Sequence, residues 1–102
     1  MNFNPQSGHE QKDQQPVLVV SSRVFNKLTN LALVCPITQT ERGFPLHVDL
    51  GTGTETRGFV MCEQVKSLDL VAREARFVEK APVEVREQVF DILYGIIEEV
   101  GS

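Results

Sequence analysis

The spacing of apolar residues along this chain changes once, near Pro82. Up to that point apolar residues form short runs or alternate with polar ones, and both patterns are typical of β-strands. Residues 16–21 consist mostly of Val and Leu, which predicts a strand buried on both faces. A second apolar run, residues 31–37, contains Pro36, which predicts a strand end or a bulge at that point.

Residues 46–50 alternate strictly between apolar and polar side chains. This alternation predicts a half-buried antiparallel strand, with Val48 on the buried face and His47 and Asp49 on the opposite face. The Gly- and Thr-rich residues that follow predict a turn. Further strands are expected at residues 57–62, 65–70 and 76–80.

After Pro82 the apolar residues recur at helical spacing and predict one amphipathic helix. Pro82 suits the first helical position, Glu84 suits the first turn, and Gly101 can end the helix. The apolar stripe is expected to pack on the core, and a groove for a partner is the alternative. The stripe consists of Val85, Val89, Ile92, Leu93, Ile96, Ile97 and Val100.

With 102 residues, the chain is expected to form a single domain that spans residues 1–102. Short strands followed by one C-terminal α-helix predict a mainly β fold, built as a small, strongly bent sheet or barrel. Barrel closure would hide the edges that such short strands otherwise expose.

The composition is that of an ordinary soluble globular protein, with 41% apolar and 24% charged residues. A net charge of -4 argues against broad coating of nucleic acid, although ten basic residues are available for a local groove. Cys35 and Cys62 lie far apart inside apolar runs, so we expect buried reduced thiols rather than a disulfide or a metal pair. The sequence shows no metal-ligand cluster, signal peptide or membrane span, which predicts a cytoplasmic protein without metal or cofactor.

Four segments of the chain each carry a motif. They are Gly8-His-Glu-Gln leading into Val-Leu-Val-Val-Ser, Pro36-Ile-Thr-Gln, Pro45-Leu-His-Val, and Gly58-Phe-Val-Met-Cys-Glu-Gln-Val-Lys-Ser-Leu-Asp69. Together with the C-terminal helix, and in this order, they resemble the MazF/PemK-type toxins of bacterial toxin–antitoxin modules. The resemblance covers residues 4–100, and residues 63–69 are its most specific piece.

The resemblance implies a small SH3-like barrel of the MazF/CcdB type, a homodimer, and a metal-independent endoribonuclease that acts on single-stranded RNA. In that family's reaction the 2′-hydroxyl of the RNA is the nucleophile, and the products are a cyclic phosphate and a 5′-hydroxyl. Such chemistry needs a base near the 2′-oxygen, a proton donor at the leaving oxygen, and donors or a cation at the phosphoryl oxygens. A cognate antitoxin would neutralise the toxin, and DNA would be bound only through that antitoxin.

The resemblance also assigns catalytic positions, which are Thr38, Gln15, Glu63 and His9. Thr38 matches the family's active-site threonine, and its alternative role is to cap a turn after a strand. Gln15 stands where the family carries a catalytic arginine, and its amide has no charge to offer a phosphate. Glu63 matches an acidic residue proposed as catalytic in one branch, or else it is a structural carboxylate. His9 matches a loop histidine used in acid–base work or RNA binding, or else it is an ordinary exposed histidine.

The expected RNA contacts are Glu10, Gln11, Gln64, Lys66 and Arg42. Glu10 and Gln11 share the loop of His9, Gln64 could hydrogen-bond bases or backbone, and the basic side chains could contact phosphates. Taken alone, each basic residue is an ordinary solvated surface charge. In the branch of the family whose acidic residue matches Glu63, the position of Met61 is occupied by an arginine. The thioether of Met61 carries no charge and cannot take over the function of that arginine.

Members of this family usually carry a further strand upstream, of the form Gly-Asp-Ile-hydrophobic, and this chain begins almost after it. Two explanations are open: the true start lies upstream of Met1, or the barrel lacks most of the family's first strand. In the second case we expect one open sheet edge and an altered dimer.

Functions of different classes follow from these residues. The leading hypothesis is a toxin-type endoribonuclease that cleaves single-stranded RNA and is held inactive by an antitoxin. The alternative is a catalytically impaired binding module that keeps the dimer and antitoxin surfaces, and Gln15 and Met61 favour it. A purely structural SH3-like protein is disfavoured by Thr38 and by residues 63–69.

Overall fold

A computed structural model describes residues 15–98 and the backbone of residues 6–9. The described chain forms seven strands, two α-helices and one short 3₁₀ helix. The strands are β1 (Gln6–His9), β2 (Pro16–Val19), β3 (Leu31–Thr38), β4 (His47–Asp49), β5 (Phe59–Met61), β6 (Lys66–Asp69) and β7 (Glu79–Lys80). The α-helices are α1 (Arg23–Thr29) and α2 (Val83–Ile97), and the 3₁₀ helix is Cys62–Gln64.

β3 is the central strand, and its two edges are used differently. One edge pairs with β2, where Val34 lies opposite Val19. The other edge is divided, because β6 pairs with Leu31–Val34 and β5 pairs with Ile37 and Thr38. Since β5 and β6 follow each other in the chain, the 3₁₀ helix between them carries the chain from one half of this edge to the other.

The remaining strands extend the sheet on both sides of β3. The order is β4-β5-β3-β2-β1-β7, with β6 added on β3, and every pair is antiparallel. This strand path has two ends, so the described sheet is open. α2 packs against β4 and the 3₁₀ helix. The predicted mainly β fold with one C-terminal helix is confirmed.

Two apolar clusters cover the two faces of the sheet. The larger lies between the sheet and α2 and contains Leu18, Cys35, Ile37, Val48, Leu50, Val60, Cys62, Val85, Val89 and Leu93. The smaller, on the other face, contains Val17, Val19, Ala32 and Val34. β2 contributes to both clusters, which confirms the prediction of a strand buried on both faces. Full burial of a side chain such as Leu18 or Val89 contributes about 1.5–3 kcal/mol.

α2 packs through the first part of the predicted apolar stripe, where Val85, Val89 and Leu93 are buried. Ile96 and Ile97 are 45% and 81% exposed, so the stripe leaves the core before the helix ends. Neither this helix nor any other described one is long and apolar enough to cross a membrane.

Both predicted ends of this helix are wrong. Pro82 has an extended backbone and is the N-cap residue rather than the first helical residue. The helix ends at Ile97, well before Gly101, which lies outside the described residues. Turns beyond Leu93 bury little apolar surface, and a helix in a protein gains most of its stability from such burial.

Pro36 lies inside β3 and neither ends the strand nor makes a bulge, so that prediction is wrong. Successive backbone groups along a strand point to opposite edges. The Leu33 N–H and the Ile37 carbonyl both bond to side chains at the β2 edge. By alternation, the missing Pro36 N–H falls on the opposite edge, where the 3₁₀ helix separates β6 from β5. Because no strand pairs there, no ladder hydrogen bond is lost.

Three other strands differ from the sequence prediction. β1 is not predicted, because its residues are polar or small; its backbone pairs with β2 and β7. The strand expected at residues 57–62 is shorter, because Gly58 has a φ of +125° and Cys62 begins the 3₁₀ helix. Of residues 76–80 only the last two form a strand, through pairing with β1. Cys35 and Cys62 are buried, as predicted.

Gly58 permits the close approach of β5 to the end of β3. Its φ of +125° lies in a region that L side chains rarely adopt. A Cβ atom at this position would also collide with the backbone carbonyl oxygen of Thr38. Glycine is therefore required here by backbone conformation and by space at once.

We expect Gly58→Ala to lower the free energy of unfolding by about 1–3 kcal/mol, because both the φ angle and the Thr38 carbonyl oppose a Cβ atom. Urea denaturation would measure the loss. Gly53→Ala is the matched control, since no atom lies within 4 Å of its Cβ position. Equal stability losses for the two variants would contradict this account of Gly58.

The side chain of Glu79 in β7 connects the turn before β5 to the sheet through hydrogen bonds. Its Oε1 accepts a hydrogen bond from the Glu55 N–H at 3.1 Å, and its Oε2 accepts one from the Thr56 N–H at 2.8 Å. Burial alone would raise the pKa of this carboxyl, but these backbone donors outweigh it and lower the pKa. The ionised form of Glu79 therefore stabilises the folded chain.

Glu79→Gln should cost about 1 kcal/mol of stability at neutral pH, because an amide nitrogen would face one of the two N–H donors. A carboxyl with a lowered folded-state pKa stabilises the fold above its unfolded pKa, and this contribution disappears as the pH falls through the folded pKa. Thermal unfolding of both proteins from pH 7 to pH 3 would test this. The stability difference between Glu79→Gln and the native protein should shrink in acid. Glu87→Gln, on an exposed part of α2, is the control and should be as stable as the native protein at neutral pH.

Candidate active site

The candidate residues gather on the sheet face that points away from α2, here called the outer face. Ile37, Val48 and Val60 belong to the cluster beneath α2. Their neighbours along β3, β4 and β5 point the other way, since side chains alternate along a strand. Cross-strand pairing brings these neighbours together. The outer face therefore carries Thr38, Phe59, Met61, His47 and Asp49.

Thr38 ends β3 on the outer face and is partly buried. Its hydroxyl accepts a hydrogen bond from the Thr40 N–H at 3.2 Å, so it does cap the following turn. A hydroxyl that accepts one bond still has its own hydrogen to donate. The capping role therefore leaves Thr38 able to donate to a phosphoryl oxygen.

Gln15 lies beside the end of β3, one strand residue away from Thr38. Its Nε2 donates a hydrogen bond to the Ile37 carbonyl at 3.2 Å. The side-chain amide has two N–H groups, so a second donor remains. The structure thus brings Gln15 next to Thr38, with a neutral donor where the resemblance expects a cation.

Glu63, in the 3₁₀ helix, is paired with His47 of β4. The His47 Nε2 and Glu63 Oε2 atoms are 3.0 Å apart, and the two side chains are 5% and 26% exposed. The edge of the Phe44 ring packs on the imidazole, with centroids 5.2 Å apart and an interplanar angle of 85°. The pair is therefore fixed by a hydrogen bond on one side of the imidazole and by an aromatic contact on another.

Two opposing influences act on the Glu63 carboxyl. Burial raises its pKa, whereas the hydrogen bond from His47 lowers it, and the net effect is a pKa below the usual value. Glu63 is therefore ionised at neutral pH. An ionised carboxylate is an acceptor only, so His47 must carry its hydrogen on Nε2 to make this bond.

An open pocket of about 210 Å³ lies next to this pair. Its lining combines aromatic and charged side chains from the loop before β4 and from β4 and β5. The lining residues are Glu41, Arg42, Gly43, Phe44, His47, Asp49 and Phe59. Arg42, predicted as an RNA contact, thus lies on the same face as Thr38, because Phe59 is both a pocket residue and the cross-strand partner of Thr38.

The other predicted contacts lie further from this face or cannot be described. Gln64 is exposed and follows Glu63 directly. Lys66 is exposed and lies opposite Val34, about 13 Å along β3 from Thr38. The backbone of His9 pairs with Pro16, beside Gln15. Glu10 and Gln11 lie outside the described residues.

His47 is the member of this site that the sequence pattern missed. Alternation placed it on the polar, solvent side of a strand together with Asp49. In the structure that side is covered locally by Phe44 and Glu63, so the imidazole is buried. No local spacing signals this, because Glu63 comes from a bend sixteen residues later.

Within residues 6–9 and 15–98 no group of three or more His, Cys, Asp or Glu side chains could hold a metal ion.

Over residues 1–97 the sequence matches the family described as "PemK-like, MazF-like toxin of type II toxin-antitoxin system". The chain belongs to this family. The resemblance inferred from the four motifs is thereby confirmed.

Individual family members show how close the relationship is. The chain is 39% identical to the endoribonuclease toxin ChpB of Escherichia coli K12, over 96% of this chain and 88% of ChpB. It is 33% identical to the endoribonuclease PemK of Escherichia coli, over 95% of this chain and 76% of PemK. A chain of the MazE–MazF crystal structure from Deinococcus radiodurans matches with a TM-score of 0.80 and 30% identity, covering 92% of this chain and 96% of that chain. The fold is therefore that of the MazF toxins.

Proposed function

We propose that this chain is a toxin-type endoribonuclease that cleaves single-stranded RNA without a metal ion and is neutralised by a cognate antitoxin. The proposal is carried by the His47–Glu63 pair, which holds an ionised carboxylate on the same sheet face as Thr38. The names of the ChpB and PemK relatives support the reaction class. An RNA substrate of this kind implies action in the cytoplasm.

In the proposed reaction Glu63 takes the proton of the RNA 2′-hydroxyl, and the 2′-oxygen attacks the adjacent phosphorus. The 5′-oxygen leaves and takes up a proton, for which we assign His9 as the donor. The products are a 2′,3′-cyclic phosphate and a 5′-hydroxyl. Thr38 and Gln15 would donate hydrogen bonds to the phosphoryl oxygens as negative charge grows there.

Substrate binding would use the pocket beside His47. Phe44 and Phe59 offer aromatic surfaces on which an unstacked base can lie, as is common in recognition of single-stranded RNA. Arg42 supplies a positive charge for a phosphate. Gln64 and Lys66 would extend the contact along the chain, while Glu10 and Gln11 are assigned on the resemblance alone.

Exposed apolar side chains of the two α-helices offer binding surfaces for partner chains. Val24 and Leu28 of α1 are 67% and 79% exposed, and Tyr94 and Ile97 of α2 are 64% and 81% exposed. The Deinococcus relative was crystallised as a MazE–MazF assembly. We infer that an antitoxin and a second copy of this chain cover such surfaces.

A second candidate function is an antitoxin-binding module without ribonuclease activity. Gln15 favours it, because its neutral amide already donates to the Ile37 carbonyl and cannot neutralise a phosphate. Met61 favours it as well, since it puts an apolar side chain on the outer face. By analogy with the loss of one oxyanion donor, the missing charge at position 15 would cost about 3 kcal/mol, or ~100-fold in rate.

The discriminating experiment incubates the purified protein with a long single-stranded RNA in EDTA, beside a Gln15→Arg variant. We expect the native protein to cleave slowly and to leave 5′-hydroxyl ends, and Gln15→Arg to cleave about 100-fold faster. An arginine can keep a donor on the Ile37 carbonyl while it offers charge to the phosphate.

A charge-matched control separates chemistry from general attraction to RNA. Gln88→Arg adds the same charge on an exposed part of α2, and it should leave the cleavage rate near that of the native protein. Cleavage by Gln15→Arg alone would refute the active-enzyme proposal and support the binding module. Absence of cleavage by both proteins would refute ribonuclease function altogether.

A further inference from the structure

The His47–Glu63 contact joins two elements that the sheet holds side by side. His47 of β4 has Met61 of β5 as its cross-strand partner, and Glu63 follows Met61 by two residues. The side chain of His47 is 95% shielded from solvent, and the Phe44 ring packs on it. An imidazole enclosed in this way has little freedom to rotate, so it is suited to fix whatever its Nε2 contacts.

We propose that His47 is the positioning residue of the candidate base: its Nε2–H holds Glu63 Oε2 and keeps the carboxylate directed at the RNA 2′-hydroxyl. This rests on the proposed function, which gives Glu63 its part in the reaction. His47 acts through Glu63 and not by touching the substrate. His47 lies within the Pro45-Leu-His-Val motif, but the resemblance assigns it no role.

The two oxygens of Glu63 are not equivalent. Oε1 is buried and has no hydrogen-bond partner among the described residues, so it adds nothing to the 26% of the side chain that is exposed. Each carboxylate oxygen has two lone pairs, and His47 takes one of those on Oε2. The remaining lone pair is then fixed in direction. Without the Nε2–H donor the carboxylate could rotate and lose this orientation.

The contact also leaves buried polar atoms unpaired. His47 Nδ1, like Glu63 Oε1, is buried without a partner among the described residues. An apolar pair of similar size at positions 47 and 63 would fill the same space without leaving buried polar atoms unpaired. A polar pair kept at such a cost fits a role in the reaction better than a role in stability.

Few charges surround the pair, which makes a titration of Glu63 interpretable. Glu41, Arg42 and Asp49 line the pocket beside His47. Behind Glu63, the 3₁₀ helix and β3 contribute the buried thiols of Cys62 and Cys35. α2 contributes apolar members of the larger cluster, and its partly buried Arg86 lines a separate pocket with Ser21 and Ser22.

The test compares His47→Leu with His47→Gln. Both substitutions are made in the native protein or, if only the Gln15→Arg variant cleaves RNA, in that variant. Leucine fills similar space without a donor, whereas glutamine can place an N–H donor near the position of Nε2. We expect His47→Leu to lower kcat about tenfold or more with little change in KM, and to move the acidic limb of the rate profile to higher pH. His47→Gln should recover most of both.

A direct titration of the Glu63 carboxyl by NMR supplies a readout that needs no activity. Its pKa should rise in His47→Leu, because the His47 hydrogen bond, the largest of the influences that lower it, is gone, and should stay low in His47→Gln. Glu79→Gln is the control, since it removes carboxylate hydrogen bonds at a distance and should leave kcat and its pH dependence unchanged.

The outcomes separate this inference from the proposed function. Native kcat and an unchanged Glu63 pKa in His47→Leu would overturn the inference, as would equal losses in the Leu and Gln variants. Cleavage by Glu63→Gln at the native rate would overturn it too, because no base would be left to position. If neither the native protein nor Gln15→Arg cleaves RNA, the proposed function fails, and the catalytic part of the inference fails with it.

Discussion

The divided edge of β3 is the constraint on which the rest of the structure depends. Because β5 occupies the end of this edge and β6 its beginning, the chain between them has to bend within a few residues, and the 3₁₀ helix Cys62–Gln64 makes that bend. The bend places Glu63 beside β4, where the His47 Nε2 lies 3.0 Å from the Glu63 Oε2. It also leaves one stretch of the β3 edge without a strand, which is where Pro36 is tolerated.

The sequence predicted those elements whose side chains reveal their burial, and little else. β2 and α2 are recognisable because Val and Leu runs and the stripe from Val85 to Leu93 report burial at the correct period. β1 was not predicted because its pairing depends on backbone groups, and its polar and small residues carry no apolar pattern. His47 escaped for another reason: alternation gives the face of the sheet but not what covers that face. Long-range partners such as Glu63 decide whether such a residue is exposed.

The family motifs contain several of the candidate residues that the structure brings close together. Thr38 and Glu63, which the motifs contain, lie on or beside one sheet face, and Arg42, a candidate because of its charge, lines the pocket next to them. The motifs also indicated two missing cations, at Gln15 and at Met61. The structure shows that Glu63 is bonded by His47, which lies directly across the strand pair from Met61. Cross-strand partners share a face of the sheet, so a donor at position 47 lies close to position 61.

The charges around the outer face favour binding of different chemical groups of an RNA at different places on that face. Glu41 and Asp49 line the pocket together with Arg42, the one cation among its described lining residues, and the ionised Glu63 lies behind His47. Away from Arg42, such a pocket suits a sugar hydroxyl or the amino edge of a base, since carboxylates accept hydrogen bonds. Under the proposed function, the reacting phosphate would lie at the end of β3, where the donors are the uncharged Thr38 and Gln15. Under the proposed reaction, a neutral donor there would stabilise the growing phosphoryl charge less than an arginine, so the chemical step, rather than RNA binding, would be where this chain departs from the family's pattern.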